Sequence, residues 1–217
     1  MPVRIITLER EYGSGGAFIA EKLAARLGWV FWDQGLTAEI AKIAKVHPAA
    51  AERCDERRDP LLYRLAKVFA RGSYERSLPL EGREVFDAAR MVELVTQVIE
   101  GAASAGHCVI VGRGAPYILR NRPDAFHVFV YAPYEEKFRR LLALGKSEAE
   151  AEELLESIDK ERAAFIKQYF GADWPNRYLY NLWLNSVIGD DAAVETILSA
   201  IEVLEKAQAE GRLGKCR

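Results

Sequence analysis

The chain has 217 residues, of which 50% are hydrophobic and 29% are charged, as in an ordinary folded domain. Its formal net charge of −2 disfavours a nucleic-acid-binding protein that relies on bulk positive charge. Isolated cysteines and histidines, and apolar runs far below ~18 residues, argue against a disulfide scaffold, a zinc site and a membrane span, so we expect a cytoplasmic protein.

Short apolar runs alternate with longer helical patterns along the chain. The first predicted elements are a strand at 3–8, a glycine-rich turn at 13–16, a helix at 17–27 and a strand at 29–32. Next come helices with polar breaks over 36–78, an amphipathic helix over 84–105 and a strand at 107–111. The last are a strand at 126–131, helices at 134–144 and 146–169, a strand at 183–187 and a helix at 191–209. Strands separated by helices predict βαβ units and a parallel sheet.

The glycine-rich turn after the first strand points to a ligand. Glycine adopts positive φ readily and lets a ligand approach the backbone closely. A strand, such a turn and a helix N-terminus direct backbone N–H groups at one point, which favours phosphate. The simpler alternative is a flexible connection between strand and helix. The residues predicted to bind the phosphates of a nucleotide are Gly13, Ser14, Gly15, Gly16 and Ala17.

The turn departs from the P-loop pattern G-x-x-x-x-G-K-[ST]. With Gly15 on the second glycine, Gly16 stands in place of the lysine and Ala17 in place of the Ser/Thr that holds Mg²⁺. A phosphate-binding cation and a metal-binding hydroxyl are therefore missing. Arg10 is the nearest residue that could supply the charge. Its alternative role is that of a surface arginine paired with Glu9 or Glu11.

Several segments, in order, resemble the cytidylate kinase-like family. Residues 10–16 match the family's loop R-E-Y-G-S-G-G at every position. Further similar segments are residues 32–36, 111–114, 123–132, 135–140, 159–162 and 185–186. The resemblance implies a P-loop, three-layer α/β/α fold with a parallel central sheet, formed as one domain over residues 1–217. It also implies a helical acceptor-binding insert near 36–83 and a helical lid near 145–172.

The same resemblance implies an activity and a set of site residues. The activity is the transfer of the γ-phosphoryl group of ATP to a nucleoside monophosphate, CMP or dCMP, assisted by Mg²⁺. The catalytic residues would be Arg10, Arg113 and Arg162. The substrate-binding residues would be Asp33, Gly35, Arg113, Arg139 and Asp159. No metal ligand is predicted, because both usual sources are weakened in this sequence.

Each of these assignments has a simpler alternative. Asp33 is also a good helix N-cap, and Arg113 could form a salt bridge at the sheet edge. Residues 146–167 carry many opposite charges at helical spacing, so a solvated helix is the alternative for this segment. At the level of function, a nucleotide-binding protein with little catalysis and a kinase of another small acceptor remain open. Gly16, Ala17, Val111 and Gly114 favour the first alternative, because the cytidylate kinases carry polar catalytic groups at these positions. The changed segment 111–114 and the absence of a tyrosine near Leu36 allow the second.

Overall fold

The structure is a computed structural model that describes residues 2–33 and 88–212. The strands are β1 (Ile5–Arg10), β2 (Val30–Trp32), β3 (Cys108–Val111), β4 (Ala125–Tyr131) and β5 (Leu182–Asn185). The helices are α1 (Gly16–Leu27), α2 (Ala88–Ala105), α3 (Ala115–Ile118), α4 (Tyr134–Ala143), α5 (Glu148–Phe170) and α6 (Asp190–Ala209). The predicted insert near 36–83 and Gly35 lie outside the described residues.

The five strands form one sheet in the order β2-β3-β1-β4-β5, and every pair of neighbours is parallel. The prediction of a parallel α/β fold is therefore confirmed. β1 occupies the centre and all six of its residues are buried. Its end lies beside the end of β3, with Leu8 opposite Val111. Because parallel strands end at the same edge, the segments that follow β1, β2 and β3 meet there.

Alternate residues of β1 serve two hydrophobic layers. Ile6 and Leu8 pack with Leu23 of α1 and Ile197 of α6 on one face of the sheet. Ile5 packs on the other face, in a cluster that includes residues of α2, β3 and α3. A central strand covered on both faces has no solvent-exposed side, which explains why its apolar residues do not alternate strictly and why Thr7, Glu9 and Arg10 are buried as well. Helices on both faces give the expected three layers.

Some boundaries differ from the predicted ones. His107 was predicted as the first residue of a strand, but it has φ 52° and β3 begins at Cys108. The predicted strand 183–187 ends at Asn185, and Ser186–Ile188 forms a short 3₁₀ helix. The Asn185 side chain accepts a hydrogen bond from the backbone N–H of Val187 at 3.1 Å, which starts the turn. α3 was not predicted, because four residues carry too little periodicity. In the described part of the chain, no helix is long and apolar enough to cross a membrane.

A buried hydrogen bond links the central strands. Thr7 Oγ1 and His127 Nδ1 lie 2.7 Å apart, and burial lowers the pKa of His127 from 6.5 to about 4. The unfolded chain therefore gains this proton near pH 6.5, whereas the folded chain gains it only near pH 4. Between pH 7 and pH 5 we expect His127 to remove about 2 kcal/mol from the free energy of unfolding.

Urea unfolding of the wild-type chain and of His127→Gln at both pH values measures this contribution. Groups other than His127 contribute equally to both chains, so the difference between them isolates the imidazole. The wild-type chain should lose about 2 kcal/mol more than the variant between the two pH values. An equal loss in the two chains would contradict the assignment.

Candidate functional site

The glycine loop after β1 has the backbone of an anion site. Gly13 and Gly15 adopt left-handed φ values of 78° and 77°, and Gly15 is the N-cap of α1. Gly16 and Ala17 open the helix, where the first N–H groups have no partner within the helix and the helix dipole favours an anion. Ser14 is different, because both its N–H and its Oγ donate to the carbonyl of Glu11, at 3.3 and 2.8 Å. Ser14 thus closes the loop.

The guanidinium of Arg140 lies over this loop. A Cβ placed on Gly15 would overlap Arg140 Nη1, so glycine is required there for two reasons, φ and space. Arg140 Nε donates to Glu136 at 2.8 Å and Nη1 to Asp190 at 3.1 Å. Hydrogen bonds from Arg139 and Arg140 lower the pKa of Glu136 to about 2.

The family resemblance predicted a substrate-binding role for Arg139, the residue before Arg140. The side chain of Arg139 is 68% exposed and pairs with Glu136 at 2.7 Å, so the structure does not bring it to the loop. Glu136 is spaced to pair with both arginines, at i,i+3 and i,i+4, so the sequence spacing alone does not single out Arg140.

Arg10 ends β1 with a buried side chain. It is 5% exposed, and its Nη1 lies 3.2 Å from Glu9 Oε1. The alternative that Arg10 lies on the surface is therefore wrong, because its side chain is buried. The ion pair with Glu9 that this alternative included is present. Glu11, the other predicted partner, instead accepts from Lys137 Nζ at 2.9 Å.

Arg113 follows β3 in an unusual backbone segment. Residues 112–114 have φ values of 66°, 56° and 72°, and only the middle residue carries a Cβ that opposes this conformation. The Arg113 side chain is 6% exposed, and its Nη2 lies 4.0 Å from Asp33 Oδ1. Burial lowers the pKa of Arg113 to about 10, while Asp33 opposes the change, so the guanidinium stays charged at neutral pH. A strained backbone at a residue whose charged side chain is buried is typical of a functional position.

Asp33 presents an unusual carboxylate at the end of β2. It is 0% exposed, and neither carboxylate oxygen accepts a hydrogen bond from the described residues. A buried acceptor without a donor costs free energy, so it points to a ligand that donates. Whether Asp33 caps a helix depends on residues outside the described part of the chain.

Among the described residues, those around the loop do not supply the usual P-loop ligands of Mg²⁺. Ala17 offers a methyl group where a P-loop offers a hydroxyl, and Val111 offers an apolar side chain where the family carries an aspartate. Across residues 2–33 and 88–212, no three His, Cys, Asp or Glu side chains form a group that could hold a metal. Gly114 offers no side chain as a ligand, and a Cβ there would lie 2.7 Å from a ring carbon of Phe170.

α5, the helix of the predicted lid, is attached to the glycine loop. The backbone N–H of Tyr12 donates to both oxygens of Asp159, at 3.0 and 3.2 Å. Arg162 Nη1 donates to Asp159 at 2.9 Å and to the carbonyl of Arg10 at 2.8 Å. Arg162 is 8% exposed and burial lowers its pKa. The solvated-helix alternative is therefore wrong for Arg162, while Lys160 on the same helix is exposed.

The sequence of the chain matches a known protein family. The model of the cytidylate kinase-like family matches residues 5–187. The chain belongs to the cytidylate kinase-like family. The family is one of kinase-like phosphotransferases. No curated protein matches the sequence at a significant level.

One solved structure shares the fold at low sequence identity, and two others are similar to the chain at lower TM-scores. A crystal structure of an uncharacterized protein from Eubacterium ventriosum has a TM-score of 0.63 and 21% identity, over 92% of this chain and 98% of that chain. The shikimate kinase of Bacteroides thetaiotaomicron has a TM-score of 0.46 and 21% identity, over 95% and 98% of the two chains. The shikimate kinase of Acinetobacter baumannii, solved with shikimate, has a TM-score of 0.48 and 15% identity, over 93% and 94%.

Removing the carboxylate of Asp159 should destabilise the protein. In Asp159→Ala, Tyr12 loses the acceptor of its N–H and buried Arg162 loses its charge partner. Leaving one half of a buried ion pair costs about 3 kcal/mol, which urea unfolding would measure as a lower free energy of unfolding. Glu153→Ala is the matched control, because Glu153 is an exposed acid of the same helix. Equal stability of the two variants would show that the attachment contributes nothing.

Proposed function

We propose that the protein transfers the γ-phosphoryl group of ATP to a pyrimidine nucleoside monophosphate, CMP or dCMP. One observation carries the proposal: a glycine loop at a helix N-terminus and three buried arginines, Arg10, Arg113 and Arg162, lie at one edge of the sheet. Phosphoryl transfer needs positioning and positive charge around the transferring group, with little covalent help from the protein. Family membership suggests the class of acceptor. We place this activity in the cytoplasm.

The donor would bind at the glycine loop. The N–H groups of Gly16 and Ala17 suit its phosphates, and Arg140 lies at the outer rim of the loop. Arg162 would bring positive charge from the lid side. Since the described residues around the loop do not supply the usual P-loop ligands of Mg²⁺, the ion would arrive with the nucleotide, and none of these roles depends on it.

The acceptor would bind beyond the end of β3. Arg113 presents a planar guanidinium of the kind that binds phosphate through two hydrogen bonds. Asp33, 4.0 Å away, suits a hydroxyl of the acceptor, since its carboxylate needs a donor. The other proposed substrate residues gain no support from the geometry: Gly35 lies outside the described residues, Arg139 is exposed, and Asp159 bonds to Tyr12 and Arg162.

A coupled assay of ADP formation tests the proposal. The purified chain is given ATP and, in turn, CMP, dCMP, UMP, AMP and GMP, with an acceptor-free control for background hydrolysis. We expect CMP or dCMP to give the highest kcat/KM. The proposal is wrong if no acceptor produces ADP above the control.

Two observations favour other candidates. Gly16, Ala17 and Val111 remove polar catalytic groups, which favours a nucleotide-binding protein with little turnover. Calorimetry that detects ATP binding, combined with an assay that detects no turnover, would support that candidate. The changed segment 111–114, in which both aspartates of the cytidylate kinases are replaced, favours a kinase of a different small acceptor, which a wider acceptor panel would identify.

A further inference from the structure

The place of the missing P-loop lysine is filled by another side chain. A Cβ on Gly16 would lie 2.6 Å from Arg10 Cβ and 2.9 Å from Arg10 Cγ. Farther along the same side chain, a Cβ on Gly112 would overlap Arg10 Nη1. Gly16 at the start of α1 and Gly112 after β3 have no Cβ, and the Arg10 side chain occupies the space that this leaves. A lysine could not begin at position 16 while Arg10 occupies this space.

Glu9 holds the guanidinium end of the Arg10 side chain. Glu9 is 3% exposed, and its Oε1 accepts from both the backbone N–H and Nη1 of Arg10, each at 3.2 Å. Arg162 holds the carbonyl of Arg10 from the side of α5 at 2.8 Å. Arg10 is also the last residue of the central strand, opposite Val130 of β4. A buried, twice-bonded carboxylate keeps the guanidinium in one orientation.

We propose that Arg10, oriented by Glu9, is the cation that binds the donor phosphates, and that ATP binding does not need Mg²⁺. The charge that a P-loop lysine supplies from the helix comes here from the strand. Position 17 and position 111 offer no metal ligand, so arginines neutralise the phosphates in place of a protein-held ion. Glu9 is a positioning residue that acts through Arg10. The inference rests on the proposed function, because it takes ATP as the donor.

Calorimetric titration with ATP tests the inference, in buffer with Mg²⁺ and in buffer with EDTA. We expect the wild-type Kd to change less than about threefold between the two buffers, and Arg10→Ala to weaken binding at least ~tenfold in both. Arg10→Gly/Gly16→Lys returns the cation to the helix and should recover most of the lost affinity. A structural role of Arg10 alone would not give that recovery. Arg26→Ala, which removes an exposed arginine of α1, is the control.

A second set of variants keeps the charge of Arg10. Gly16→Ala displaces the Arg10 side chain, and Glu9→Gln weakens its orientation. Each should raise the Kd for ATP several-fold in the wild-type chain, roughly threefold or more, and have no further effect once Arg10 is glycine, which removes the side chain together with its Cβ. The two single variants retain the arginine, so they test the inference even if the chain without Arg10 proves unstable: an unchanged Kd in both would overturn it.

The outcomes separate this inference from the proposed function. A wild-type chain that binds ATP equally well after Arg10→Ala overturns the role of Arg10. Binding that weakens more than about tenfold in EDTA overturns the independence from Mg²⁺. A wild-type chain that binds no ATP in either buffer overturns the proposed function itself.

Discussion

Arg113→Ala should reduce kcat/KM for the acceptor at least ~100-fold, mainly through a higher KM. The variant removes a buried, charged hydrogen-bond donor, a loss of about 3 kcal/mol when the partner is an anion. The buried carboxylate of Asp33 would also lose the guanidinium that lies 4.0 Å from it. Steady-state kinetics at varied acceptor concentration measure the effect, with ATP held at saturation.

Two variants accompany this measurement. Arg120→Ala is the matched control, because Arg120 is an exposed arginine seven positions along the chain. Arg113→Ala/Asp33→Asn neutralises the unpaired carboxylate, so it should recover stability without recovering the KM. An acceptor KM within twofold of the wild-type value in Arg113→Ala would rule out the proposed role of Arg113.

Phe129→Ala should produce the largest loss of stability in the described core. Phe129 is fully buried in the middle of β4. The centroid of its ring lies 4.5 Å from that of Trp183, 5.1 Å from that of Tyr180 and 5.7 Å from that of Trp174. Truncating such a ring leaves a cavity and removes three aromatic contacts, which costs about 3–5 kcal/mol. Urea unfolding at neutral pH measures the change in the free energy of unfolding.

Tyr178→Ala is the control for this prediction. Tyr178 lies in the same aromatic segment, but it is 90% exposed, so its loss should change the free energy of unfolding by less than about 0.5 kcal/mol. A loss in Phe129→Ala that is no larger than the loss in this control would show that the aromatic cluster adapts to the cavity.

The fold was predictable because its signals are local. The apolar runs of β1, β3 and β4 and the helical pattern of α2 are each carried by neighbouring residues, and parallel topology follows from their alternation. Turns were predictable where a glycine marks them, as at Gly15 and Gly28, which both adopt positive φ. The short helix α3 has too few residues for a periodic pattern, and the turn after Asn185 begins with a side-chain hydrogen bond, which a pattern does not reveal.

The electrostatic character of the site was not predictable. Arg10 and Arg162 are polar residues in polar stretches, and only the packed structure shows that both are buried. The choice between Arg139 and Arg140 depends on a rotation of about 100° around the helix, which sequence spacing fixes only after the buried face is known. The sequence offered Glu9 as a partner of Arg10, but it did not show that the pair is buried. The hydrogen bonds from the Tyr12 N–H to Asp159 join segments far apart in the chain, so no local pattern indicates them.

The pairing of acids with arginines at this site has a kinetic consequence. Arg10, Arg113 and Arg162 each lie beside an acid, so opposite charges are only 3.2, 4.0 and 2.9 Å apart. Such pairs project little field beyond a Debye length of about 8 Å. An approaching anion is therefore not steered from a distance by these arginines, and its association rate should respond weakly to ionic strength. Selectivity would be expressed at contact, in how long a nucleotide stays rather than in how often it arrives.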